Sequence, residues 1–183
     1  MKNLSFIIIF LFSGYCSAYS PNSMEQVKIN ETKTQKKIKE SGWQYTKWGM
    51  SAEEIVGASQ GKARAVYGEE KKNKSNPYYF DCLAVSEFTT GPFKFEVNFR
   101  AKPNEKTLNS VYLNLVNSDQ YDELKDSLVS KYGKGITTVK GNQITTSWQT
   151  DSEVIELKDL RGSIRFVGLS YTKRVYGPRG LDL

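Results

Sequence analysis

The sequence predicts an α+β protein: two helix-plus-three-or-four-strand units that form antiparallel sheet covered on one face by helices. Three observations predict it. Phe93, Phe95, Val97 and Phe99 alternate with Lys94, Glu96, Asn98 and Arg100, the mark of a strand with one dry and one wet face. Ser51-Ala52-Glu53-Glu54 is a capping box, with the Ser51 hydroxyl and the Glu54 carboxylate each satisfying the other's backbone N–H at the start of a helix. Tyr121, Leu124, Leu128 and Tyr132 recur at helical spacing behind Asp119, Asp122 and Glu123, whose charges suit a helix N-terminus.

Taken in order, Trp43, Tyr45 and Lys47 alternate with Gln44, Thr46 and Trp48 and predict a short strand. Gly49-Met50 turns the chain into the first helix, which runs through Ile55, Val56 and Ala58 and ends near Gly61. Residues 63–67 form a short strand. Residues 69–76 read as a charged loop closed by Pro77, and strands follow at 78–88 and 93–100 around the turn-forming Thr89-Thr90-Gly91-Pro92. Another strand is expected over 108–116. The second helix stops at Gly133, with Lys131 in its last turn. Four more strands are expected over 136–139, 144–148, 154–157 and 164–171, with Gly141-Asn142 a tight turn between the first two. Helix then strands thus occurs twice, without a residue-level repeat between the halves.

The ends of the chain speak to location. Lys2 precedes the apolar run from Phe6 to Phe12, and small residues follow at Ser13, Gly14, Ser17 and Ala18. This is the pattern of a secretory signal peptide over residues 1–18, cleaved between Ala18 and Tyr19, and its core is too short to span a membrane. Tyr15 stands where lipoprotein processing requires a small residue, so Cys16 reads as part of the exit and not as a lipid anchor. A flexible, polar and basic leader follows over 19–41 and reads as a spacer, with a weak electrostatic contact to an anionic envelope surface as the functional alternative. One folded domain over 42–175 and a tail over 176–183 complete the organisation. The protein is expected to be exported, into the periplasm, with release to the medium or lipid anchoring as the alternatives.

Composition removes several function classes. The chain has no histidine, which excludes Ser-His and Cys-His mechanisms and the common zinc sites. Two cysteines are present, and cleavage leaves Cys82 alone, without a partner for an intramolecular disulfide. Cys82 sits in an apolar strand sequence and reads as a small core residue. The net charge is +6, but no folded basic face is evident, so nucleic acid is not an expected partner. Nothing in the sequence calls for a cofactor.

Trp48-Gly49-Met50-Ser51 leading to Glu54, then Tyr132-Gly133-Lys134 after an amphipathic helix, then Trp148 and a strand ending at Tyr171, resemble a family of small exported bacterial proteins. Their layout is similar to the tandem helix-plus-sheet modules of the β-lactamase inhibitor protein and of the small lipoprotein of the outer-membrane barrel assembly machinery. The resemblance covers about residues 43–172. It implies an envelope-located, non-enzymatic protein that binds another envelope or secreted protein, and it carries no catalytic residues. Gly135 departs from it, standing where proline is common.

Three further matches point to enzymes and set up the alternative, an exported hydrolase. Gly57-Ala58-Ser59-Gln60-Gly61 fits the nucleophile-elbow pattern, but at a helix end and without a histidine. Ser170-Tyr171-Thr172-Lys173 fits a Ser–Lys pair, which would require a helix to bring the two side chains together. Asp81, Glu87 and Glu96 could converge across neighbouring strands for acid–base work. A binding protein predicts a flat or concave surface with exposed aromatic residues; a hydrolase predicts a cleft where one of these sets meets.

Overall fold

The computed structural model describes residues 42–175. The expected signal sequence with its Ala18–Tyr19 cleavage site, the expected leader 19–41 and the tail 176–183 lie outside the described residues. Along the chain come α1 (Ala52–Ala58), β1 (Ala63–Ala65), α2 (Gly68–Lys74), β2 (Asp81–Thr90), β3 (Phe93–Ala101) and β4 (Ser110–Leu115). A 3-10 turn at Ser118–Gln120 runs into α3 (Tyr121–Tyr132), followed by β5 (Ile136–Lys140), β6 (Gln143–Gln149), β7 (Glu153–Leu160) and β8 (Phe166–Lys173). No helix among the described residues is long and apolar enough to cross a membrane.

The expectation of two helix-plus-strand units is wrong. All eight strands join one antiparallel sheet in the order β1-β2-β3-β4-β8-β7-β6-β5. The joint is the pairing of β4 with β8, from Ser110 opposite Thr172 to Asn114 opposite Gly168. Local alternation names strands and faces but not which distant strands pair, so this joint was invisible in the sequence. Nor do helices alone cover the sheet. Two-turn α1 contributes only Ile55 as a buried residue, α2 contributes none, and α3 contributes Tyr121, Leu124 and Leu128.

Irregular chain supplies much of the remaining cover. Residues 43–48 form turns instead of the expected strand, because Gln44 takes a left-handed φ of 56° and Thr46 Oγ1 donates to the Trp43 carbonyl at 2.6 Å. Trp43 packs edge-on against Phe88 and Phe99, with ring centroids 5.2 and 5.9 Å away, and Tyr45 tilts against Phe99 at 6.1 Å. Backbone bonds from Gly49 N to Leu108 O at 2.9 Å and from Leu108 N to Met50 O at 2.7 Å fasten this segment. The capping box at α1 has both its bonds: Ser51 N donates to Glu54 Oε2 at 2.7 Å, and Glu54 N to Ser51 Oγ at 3.3 Å.

Helix α2 stands where the sequence reads as a charged loop. It lacks an apolar stripe, so no period betrays it. Charge order holds it instead. Glu69 and Glu70 sit in the first turn and lysines in the last; Glu69 pairs with Lys72 at 3.8 Å, and Glu70 takes both terminal nitrogens of Arg64 at 2.7 Å.

On the inner face, β3 is buried at every second position from Phe93 to Ala101, and Val111, Leu113, Ile155, Leu157, Val167 and Leu169 continue the core across the β4–β8 joint. The one carboxylate fully buried there is Asp159 on β7. It accepts from Arg165 Nε and a terminal nitrogen at 2.7 and 2.9 Å and from Arg161 Nε at 2.7 Å, while Arg165 also lies 5.3 Å from the Tyr121 ring centroid. These bonds, those of Arg165 foremost, hold the Asp159 carboxyl below the usual carboxylate range against the opposing effect of burial.

A depressed folded pKa stabilises above the unfolded value, roughly 3.9, and the contribution disappears as pH falls through the folded value. Asp159→Asn is therefore expected to cost about 2 kcal/mol at pH 7. Urea titrations between about pH 7 and pH 2 should show the wild-type midpoint falling toward the variant's as Asp159 becomes protonated. A gap that stays constant across that range would contradict this role.

Candidate functional site

The two pieces of cover, residues 43–50 and α3, leave a cleft of about 610 Å³ on the inner face. Phe95 on β3, Leu113 on β4 and Leu169 on β8 line it from the sheet, so it crosses the β4–β8 joint. Trp43, Phe88 and Phe93 bound one side, and Leu124, Ser127 and Leu128 of α3 the other. Phe88 stacks against Phe95 with centroids 6.2 Å apart, which fixes one wall as a rigid aromatic surface.

Polar groups also line this apolar slot: Lys131 and Tyr132 from the end of α3, Glu153 from β7 and Tyr171 from β8. Burial pushes the Tyr171 phenol pKa well up, and the Tyr132 hydroxyl beside it pushes the same way. Burial likewise raises the Glu153 carboxyl, partly offset by the Lys131 ammonium. The arrangement is that of a ligand slot: mostly apolar, with a few polar groups to fix orientation. Its chemistry is hydrogen bonding and apolar contact. Ser127 and Lys131 line it one helical turn apart, with the Ser127 hydroxyl donating to the Glu123 carbonyl at 3.0 Å. Among the described residues, no group of three or more Asp, Glu or Cys side chains is placed to hold a metal ion.

The structure brings part of the motif predicted from sequence to this place. Trp148 Nε1 donates to the Gly133 carbonyl at 2.8 Å, and its ring tilts against Tyr132 at 6.4 Å. Gly133 also caps α3, its N–H donating to Val129 O at 2.8 Å. Gly135 has a physical reason: a β-carbon there would lie 2.8 Å from the Trp148 ring and 2.7 Å from the Thr146 methyl. Tyr132, Gly133 and Trp148 thus form a lock that sets the end of α3 and the position of Tyr132 on the cleft. Trp48, Gly49, Met50, Ser51 and Glu54 serve the other piece of cover, as the fastened turn and the α1 cap, and do not line the cleft.

The hydrolase sets are not assembled. Ser59 is buried, donating to Val56 O at 2.7 Å and accepting from Ala63 N at 3.0 Å, which makes it the end of α1. Ser170 and Lys173 are an odd number of residues apart on β8, so their side chains leave opposite faces of the sheet. Glu87 and Glu96 face each other across β2 and β3, but Glu87 is held by Lys94 at 3.0 Å in the open; Asp81 lies at the far end of β2. Cys82 is fully buried in β2, and burial raises its thiol pKa, the reverse of an activated nucleophile.

The cleft residues come from six elements, the β2–β3 turn and the segment before α1, and no spacing in the chain signals their meeting. Alternation alone marked Phe93 and Phe95 as inner-facing. Compared with models of known families, with curated proteins and with solved structures, the chain matches none.

Two variants probe this geometry. Gly135→Ala should lower stability by about 1–3 kcal/mol through overpacking against Trp148, read as a loss in denaturant midpoint with tryptophan fluorescence. An unchanged midpoint would contradict the lock. For Glu153, a raised folded pKa means that ionising the group opposes folding; the penalty is absent below the unfolded value and grows as pH rises through the folded one. Glu153→Gln should therefore raise the denaturation midpoint at pH 7 and lose that advantage near pH 3. A lower midpoint at pH 7 would show that Lys131 outweighs burial.

Proposed function

We propose that this chain is a non-enzymatic binding module working outside the cytoplasm, which seats an apolar segment of another exported protein in its inner cleft. The observation that carries the reading is the cleft itself: about 610 Å³ of open space lined by Phe88, Phe93, Phe95, Leu124 and Leu128, on the face a protein normally closes over its own core. Phe93, Phe95, Leu124 and Leu128 are already buried, so a guest gains by burying the half-buried Phe88 and its own apolar surface, at roughly 25 cal/mol for each Å² removed from water. Lys131, Tyr132, Glu153 and Tyr171 offer it donors and acceptors whose positions are set by burial and by the Trp148 lock.

Placement outside the cytoplasm rests on the signal pattern of residues 1–18. The resemblance of the Trp48–Ser51 and Tyr132–Gly133 motifs to exported binding proteins supports the same reading. So does the absence of histidine, which removes the commonest catalytic base.

A photo-crosslinking side chain at Thr90, an exposed residue on the cleft, tests the proposal in intact cells expressing the full chain. The expected result is an adduct with an exported protein. Ser127→Trp, at an exposed α3 position on the cleft, should cut that adduct by about tenfold while shifting stability by no more than about 0.5 kcal/mol. Adducts with cytoplasmic proteins only, or a yield indifferent to the added indole, would overturn it.

A further inference from the structure

The outer face of the sheet carries a second arrangement, independent of the cleft. Arg100 on β3 points there, opposite Cys82 on β2 and Ser110 on β4. Its guanidinium lies between two rings, 3.7 Å from the Phe80 centroid and 4.1 Å from the Tyr112 centroid. Such a sandwich covers both faces of the guanidinium plane and leaves only its edge for hydrogen bonds. Along that edge Nε is buried and has no partner, and the terminal nitrogens likewise bond to nothing in the described residues but keep access to solvent.

A cation this far out of water normally has a carboxylate beside it. Here no carboxylate acts on Arg100, and Glu70, which acts on the neighbouring Cys82, is held by Arg64. Burial pushes the Arg100 guanidinium pKa down, and Tyr112 and Cys82 act in the opposite direction. Lysines on α2 add positive charge around the same place, since Lys71 and Lys74 both act on the Cys82 thiol.

The sandwich is built in. Tyr112 lies across β8 at Gly168, where a β-carbon would overlap its ring and hydroxyl. Glycine at this position is what lets the phenol lie flat over the sheet and stack on Arg100. On the other side, Phe80 is held by a tight turn in which Phe80 N and Tyr79 N donate to Asn76 O at 2.8 and 2.9 Å. That turn leaves Tyr78 and Tyr79 outside, 84% and 76% exposed, beside the ring that covers Arg100.

We infer that Arg100, stacked between Phe80 and Tyr112, is a recognition site for the carboxylate of an acidic side chain in a peptide segment, with Tyr78 and Tyr79 as flanking contacts. A planar carboxylate meets the open edge of a guanidinium through two parallel charge-assisted bonds, which an ammonium cannot form. Exposed tyrosines next to an arginine are the residue types that carry interface binding energy, and they favour a peptide over a free small acid. The site is a structural feature of the outer face and stands or falls separately from the inner cleft.

The test uses the full chain and the side-chain N–H resonance of Arg100 Nε, whose burial slows exchange with water. Three probes are titrated at constant ionic strength: Gly-Glu-Gly blocked at both ends, the same peptide with Gln, and sodium acetate. The Glu peptide should move the Arg100 signal saturably, about tenfold more tightly than acetate, and the Gln peptide should leave it in place. Arg100→Lys should weaken the Glu peptide by about tenfold, and Gly168→Ala by several-fold through the displaced Tyr112. Equal responses to the Glu and Gln peptides would overturn the carboxylate assignment. Equal affinity for acetate and the Glu peptide would overturn the peptide assignment. The wild-type titrations decide both points even if either variant fails to fold.

Discussion

Everything described on either face of the sheet depends on the pairing of β4 with β8. It is the pairing most distant in sequence, joining Ser110–Leu115 to the last strand. Without it, β1–β4 and β5–β8 would each expose an edge of unpaired N–H and C=O groups and half of an apolar face. With it, Leu113 and Leu169 become the continuous floor of the inner cleft, and Tyr112 comes to rest over Gly168 on the outer face. Closing so long a loop has an entropic cost that the local hairpins do not share. The pairing is therefore the non-local contact on which a single core is conditional.

The two faces use this joint differently. Inside, the chain covers the sheet with short, dissimilar pieces: an aromatic turn fastened at Leu108, the seven-residue α1, and α3 locked by Trp148 on Gly133. They do not meet, and the gap between them is the proposed binding slot. Outside, the polar face is interrupted by one row in which Gly168, Tyr112, Arg100 and Phe80 lie one over the next. An arginine stacked on both sides and lacking a carboxylate is an incomplete interaction, and the inner cleft is space that the cover leaves unfilled. Under the two proposals, each is completed by a group from another protein.

Local physics was legible in the sequence, and assembly was not. The capping box at Ser51 and Glu54, the alternation of Phe93 to Phe99 and the stripe of α3 each depend on near neighbours, and each stands in the structure as the residues foretold. The two-unit architecture was misjudged because strand order is a long-range property with no local period. Helix α2 was missed because its stability comes from charge order instead of an apolar stripe, and the aromatic alternation of residues 43–48 imitated a strand that Gln44 turns aside. Of the cleft, sequence marked the inner-facing Phe93 and Phe95, and the motif pieces Tyr132, Gly133 and Trp148 without their mutual contact. Arg100 was placed on the wet face, but nothing local told that Phe80 and Tyr112 would enclose it.

Hydrogen exchange on the full chain, resolved to individual amides, tests the central claim most directly. If the β4–β8 joint makes one sheet, the inward-bonded amides of Val111–Leu113 and Leu169–Tyr171 should exchange only through global unfolding. They should share the free energy measured by denaturant for the whole domain. A subglobal opening that releases β5–β8 together while β1–β4 stay protected would contradict it, and would take the shared cleft floor and the Tyr112–Gly168 contact with it.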